Sequence, residues 1–443
     1  MDRRGHSIAP LFYQMTLPLA SSFVVPGPDR YRFLDGRAKL TPILEPERLR
    51  VSLAAAGEWL EAGSEAAIAA VGKGGLCYRS ALFNEDGSVE WLFPRSNTSE
   101  LITAWLDLAN LLGDERYRAR AVAYADQYVT DPVHGLYRGE HTEAHGLAWY
   151  WRDDKTYTGG YSMRAPESLL HLARVTGEER YLDAARMIGE TFLARQQQKG
   201  LVSMVGWSPK GGWGHPDMIG SRYVYTVGTF ASLYEITSDG RYRAAYEKSL
   251  AALMEMQQPD GSFFQNYHPI TLAVSEPSVK THFYSYIFNG IIEAYRVFHD
   301  ERLVDRARRM ALHFAEHYFY RQNMPYCLYP HWKTDLAEYD APVHDSANGM
   351  LWLHEVTGEP LWRDIGQKLW LQGWMTQADL PDQPGIHGAL LRGVSPDIAT
   401  GKAPNNSDAA HLVCNPARVA RADLWFQVNY IFATRRLLST VAQ

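Results

Sequence analysis

Carboxylates, aromatic rings and basic groups recur together in a few segments of this 443-residue chain. In "WYWRDDK" (149–155), Asp153 and Asp154 follow Trp151 and Arg152. A ring beside a carboxyl raises its pKa by desolvation, and a neighbouring cation lowers it. Such a setting suits general acid or base work. Asp345, in "VHDS", is the second candidate. Inverting hydrolysis of a glycosidic bond needs one carboxylic acid and one carboxylate on opposite sides of the sugar, and Asp154 and Asp345 are the residues expected to serve. Asp345 also reads as a helix N-cap, a role for which Asp is preferred. Glu100, Glu143, Glu167, Asp217, Glu276, Asp335, Asp340 and Asp408 occupy comparable segments.

Other residues suit other chemistry. "KTHFYSY" (280–286) supplies His282 and Tyr284, a base pair of the kind β-elimination uses. Epimerisation would want two facing acid/base groups, for which His282 and His344 are candidates. Trp151, Trp207, Trp213 and Trp332 fall in polar segments, where flat rings with polar neighbours suit the apolar faces and hydroxyl rims of sugars. Core packing is the plainer role for any one of them. Arg164, Arg222 and Arg418 stand at expected helix starts, placed to neutralise an acidic sugar or to pair with local carboxylates.

Several motifs fail. "HTEAH" (141–145) has two histidines four apart, but Glu143 is misplaced for a zinc protease. No phosphate-binding loop, nicotinamide or flavin fingerprint occurs, so neither metal nor cofactor is expected. Three cysteines, Cys77, Cys327 and Cys414, are too scattered for a disulfide framework. A net charge of −6 gives no case for nucleic acid or a membrane surface, and no segment approaches a bilayer-spanning run. The N-terminal apolar stretch is broken by Pro10, Gln14 and Pro18, leaving a cytoplasmic location as the expectation.

These residues need a scaffold, and the sequence repeats. Gly75, Gly135, Gly200, Gly261, Pro325 and Gly388 occupy one slot at steps of 60 to 65 residues, the signature of a repeat architecture. Between them recur phrases such as "LLGDERYRARA" and "VTGEERYLDAA", each reading as helix, tight break, helix. One helix set begins near residues 96, 165, 222, 282, 345 and 420 and is the more apolar, so it is placed inside. The other begins near 46, 115, 180, 241, 301 and 361 and forms the outer ring. The expected fold is an all-α (α/α)6 toroid over 46–443, with short β elements near the N-terminus and residues 1–45 as an extension covering the ring. One end carries tight breaks; the other carries connections of roughly 20 to 40 residues, a length usually functional in a compact domain. Outer helices leave room for a homodimer.

The hairpin repeat and the "TGEERYLDAA" phrase resemble the six-hairpin glycosidase-like superfamily. That group includes glycoside hydrolases, unsaturated glucuronyl hydrolases, polysaccharide lyases and N-acylglucosamine 2-epimerase relatives. "APVHDSANGMLWLHEVTG" (341–358) is similar to the inner-helix start of unsaturated glucuronyl hydrolases, with His344 and Asp345 at its head. The resemblance implies an oligosaccharide or polysaccharide substrate. Hydrolysis of an acidic, uronate-containing sugar leads; elimination, epimerisation and a non-catalytic saccharide-binding role are the alternatives.

Overall fold

The computed structural model describes residues 44–72, 77–84, 88–95, 99–149, 156–203, 206–214, 219–276, 279–280, 282–315, 327–328, 343–390, 392–393 and 418–441. Residues 1–43 of the N-terminal extension, together with Trp151, Asp154 and Trp332, lie outside the described residues.

Long helices alternate between two rings. The outer set is α1 (Pro46–Val71), α3 (Glu115–Thr130), α5 (Glu179–Arg195), α7 (Gly240–Met256), α9 (Glu301–Phe314) and α11 (Pro360–Thr376). The inner set is α2 (Glu100–Leu112), α4 (Ala165–Thr176), α6 (Thr226–Thr237), α8 (Phe283–Phe298), α10 (Ala347–Thr357) and α12 (Leu424–Val441). Each inner helix packs on the next, and α12 packs back on α2, so the ring is closed. The inner helices are buried almost all round, as expected for helices flanked on every side. This is the (α/α)6 toroid.

Tight breaks follow from local chemistry. Gly113, Gly177 and Gly358 end their helices in the left-handed conformation, which costs a residue without Cβ nothing. The next helix is then capped: Asp114, Asp239 and Asp300 each accept from a backbone N–H two residues on.

At the opposite end, one joint recurs. The residue capping an outer helix is Gln196, Gln257 or Gln377. Each Nε2 donates to a carbonyl in the turn that follows and to one on the next outer helix. The second acceptors are Ala245 O at 2.8 Å, Arg306 O at 2.9 Å and Ser52 O at 2.9 Å. The last joins α11 to α1 and seals the ring with the same device used inside it. The repeat glycine makes this approach possible. A Cβ on Gly200, Gly261 or Gly388 would meet a carbonyl oxygen of the next helix at 2.0, 2.2 or 1.7 Å.

Strands are not confined to the N-terminal region. Cys77–Asn84 pairs antiparallel with Val89–Arg95 and with Arg418–Asp423, the strand that leads directly into α12. Short strands also organise the connections, including Tyr157–Thr158, Gly206–Ser208 and Gly212–Gly214. Among the described residues, no helix is long and apolar enough to cross a membrane.

The seam carries a specific load. Gln377→Ala removes the buried hydrogen bonds to the Ser52 carbonyl and hydroxyl, although that hydroxyl keeps Tyr430 OH at 2.7 Å, so it is expected to cost about 1–2 kcal/mol. Urea unfolding against wild type measures this, and an unchanged midpoint would show that the joint contributes nothing.

Candidate active site

All six inner helices run the same way, so their N-terminal ends meet at the end of the ring that carries the long connections. There the chain buries charge. Glu100, the first residue of α2, pairs with Arg164, which immediately precedes α4. Arg164 is only 1% exposed. Its guanidinium lies 4.7 Å from the centre of the Tyr286 ring and 4.5 Å from that of Trp425. Those rings stack on each other at 4.1 Å, with planes 12° apart. An aromatic face attracts a cation most strongly where water is excluded, which is how a buried arginine is tolerated here.

The cluster extends to a second carboxylate. Trp425 Nε1 donates to Ser285 Oγ at 3.2 Å, and Ser285 Oγ donates to Asp345 Oδ2 at 2.9 Å. Asp345 sits in the 3-10 turn Val343–Ser346 before α10 and is buried. It binds the neighbouring helix rather than simply capping its own. Glu100 and Asp345 are thus the two ends of one continuous floor, built by α2, α4, α8, α10 and α12.

Burial, the larger effect, pushes the Glu100 carboxyl up to about 7, while the Arg164 cation pulls it back. A group with that value holds and releases a proton near neutrality, as a general acid must. One turn deeper, Glu167 accepts from Tyr225 OH at 2.6 Å and is raised to about 8 by burial and by Glu293. Above the floor, Tyr161, Arg222 and His282 are half-buried and form the accessible rim. Arg222 lies 5.7 Å from the Phe283 ring, and His282 packs edge-on to Phe283 and Tyr286.

Not every expected residue arrives here. Tyr284 points away from the mouth: its hydroxyl is 2.5 Å from Nδ1 of His313 on the outer helix α9. Two residues along a helix is about 200° of rotation, so Tyr284 faces outward while Tyr286 faces the axis. Its hydroxyl is thus directed to the outer ring, away from the other residues of this mouth. Trp207 is buried against Tyr137, His141 and Tyr157 within a small sheet, so it packs the connection instead of offering a free face. Trp213 lies across from it, half-buried, with the Arg195 guanidinium 4.2 Å from its ring. Arg418 falls in a strand opposite Asn84, six residues before α12, and not at a helix start. His344 lies beside Asp345 in the same 3-10 turn. Glu100 carried no distinguishing signal in the sequence, where an acid opening a helix is ordinary.

No protein-family model matches the chain, nor does any curated protein. Solved structures do. An unsaturated glucuronyl hydrolase specific for heparin superposes with a TM-score of 0.62 at 15% identity, covering 89% of this chain and 98% of that one. The unsaturated glucuronyl hydrolase from Streptococcus agalactiae gives 0.62 at 15%, covering 92% and 94%. Cellobiose 2-epimerase from Bacillus thermoamylovorans gives 0.61 at 13%, covering 87% and 98%. At such identities the likeness establishes the toroid fold.

The raised carboxyl has a consequence for stability. Glu100 binds its proton more tightly folded, near 7, than at its ordinary 4.5. Its contribution is therefore complete below the unfolded value and is lost as pH rises through the folded one. Between pH 4.5 and 7.5, wild type is expected to lose up to about 3 kcal/mol more than Glu100→Gln. Urea titrations of both proteins at the two pH values check this, and parallel pH dependence would contradict it.

Proposed function

We propose that this protein is a carbohydrate-active enzyme whose site is the mouth formed by the inner-helix N-termini, and that it hydrolyses an acidic oligosaccharide. The observation that carries the reading is the buried Glu100–Arg164 pair against the Tyr286–Trp425 stack. In this reading Glu100 donates a proton to the leaving glycosidic oxygen. Asp345, which accepts from the Ser285 hydroxyl, activates water on the other face of the sugar. Asp154 is the alternative water-activating carboxylate. Arg164 and Arg222 supply positive charge for a uronate group. Arg164 Nε has no hydrogen-bond partner among the described residues, which leaves donor capacity for such a group. The likeness to unsaturated glucuronyl hydrolases supports the same substrate class.

Epimerisation is the second reading. It is favoured by His282, a half-buried base at the rim, and by a superposition on cellobiose 2-epimerase as good as those on the hydrolases.

The test is incubation with a panel of acidic and neutral oligosaccharides, followed by mass spectrometry and ultraviolet absorbance. Hydrolysis predicts fragments that have gained water, with no new chromophore. Glu100→Gln should then lose roughly 10²–10⁴-fold in rate, and Asp345→Asn and Asp154→Asn show which carboxylate activates water. Deuterium uptake from solvent without cleavage, abolished by His282→Ala, would replace hydrolysis with epimerisation. A new unsaturated chromophore without water gain would mean elimination.

A further inference from the structure

Behind the Arg164 layer the ring is hollow. A pocket of about 450 Å³ lies at the end where the inner helices finish, opposite the mouth. Its floor includes Thr103 and Glu167, each three residues beyond Glu100 and Arg164 on their helices. Its rim reaches solvent: the side chains of Arg174, Arg296 and Arg435 are 51%, 41% and 36% exposed. The volume lies within the range of small-molecule sites.

We propose that this rear pocket is a second binding site, for a compact oxyanion (a carboxylate or a phosphate) carried on a molecule the size of one sugar. Four arginines line it, and they are not equally engaged. Arg296 is spent, since its three nitrogens bond Glu235 and Glu293. The others have committed part of the fork. Arg174 uses Nη2 on Glu235, and Arg435 uses Nη1 on Asp107. Arg436 uses Nε on Asn348 and Nη1 on Glu355.

The remaining nitrogens of these three guanidiniums make no hydrogen bond to a described residue. Such planar forks match carboxylate and phosphate oxygens two at a time. Burial, the larger effect, and the neighbouring Arg435 push Arg436 down to about 10 although Glu355 pairs with it.

Neutralising helix C-termini explains why arginines gather at this end. It does not explain a cavity walled by their unspent edges. The remaining surface suits a sugar-sized body. Trp352 and Tyr295 form part of the wall. Glu167, held protonated near neutrality by burial and Glu293, and the Thr103 hydroxyl offer uncharged partners to ligand hydroxyls. This site does not depend on the activity proposed for the mouth.

Calorimetric titration of the full chain with D-glucuronate, inorganic phosphate and D-glucose tests it. Saturable binding of at least one anion and none of glucose is expected. Glucuronate alone would identify a sugar acid, and phosphate alone a phosphate-bearing ligand. Arg174→Ala and Arg435→Lys should each weaken binding about tenfold, by removing a charge-assisted hydrogen bond. His282→Ala, at the mouth, should leave it unchanged. Arg174 is half-exposed and Glu235 keeps Arg296 as a partner, so Arg174→Ala decides the matter if Arg435→Lys fails to fold. The proposal is overturned by no saturable binding of either anion, by equal binding of glucose, or by binding that His282→Ala abolishes and the arginine variants leave intact.

Discussion

Everything in this protein depends on closing the ring. An open stack of helical hairpins would leave two inner-helix flanks in water, and its N-terminal ends would not converge. The closure is made at three levels. Gln377 ties the last outer helix to the first. Arg435 on α12 bonds Asp107 on α2 at 2.9 and 3.0 Å across the inner ring. The strand Arg418–Asp423 pairs with Cys77–Asn84, bringing residues near the two ends of the toroid into one sheet. Once closed, the ring fixes six helix N-termini around one axis, and the floor of the mouth follows.

That floor is costly in folding terms. An arginine and two carboxylates are taken out of water, where ionic groups lose several kcal/mol of solvation each. Hydrophobic residues of similar volume would close the ring with less penalty. What this cost maintains is a buried carboxyl–arginine pair set against a cation–π stack, beneath a rim of His282, Arg222 and Tyr161. The same interior then continues as polar and ionisable groups to the rear, through Glu167, Glu293 and Arg296, inside two rings of apolar packing.

The scaffold was readable because its signals are local and repeated. Left-handed Gly113, Gly177 and Gly358, the capping aspartates and the Gly200 and Gly261 slots each report backbone conformation within a few residues, and the repetition reinforces them. Outer-helix starts fall within a residue of expectation, whereas α2, α6, α10 and α12 begin later than read: 3-10 turns, Ser221–Tyr225 and Val343–Ser346, precede α6 and α10, and the strand Arg418–Asp423 precedes α12. The site was less readable because it depends on helical phase. Apart from Ser285, "FYSYIF" is apolar or aromatic, so nothing in it tells Tyr284, which faces α9, from Tyr286, which faces the axis. Trp207 misled for a related reason: its segment is rich in glycine and charge, yet folds into a small sheet with a buried face. Glu100 was hidden by ordinariness, since its chemistry comes from Arg164, 64 positions away.

Glu100 is expected to hold a proton beside Arg164 until the pH passes about 7. Infrared difference spectra between wild type and Glu100→Gln, taken as pH is stepped from about 5 to about 9 around the shifted titration, test it directly. The account predicts a protonated-carboxyl band, present in wild type and missing in the variant, that disappears with a midpoint near 7. A Glu100 already ionised at the acid end of that range would contradict it.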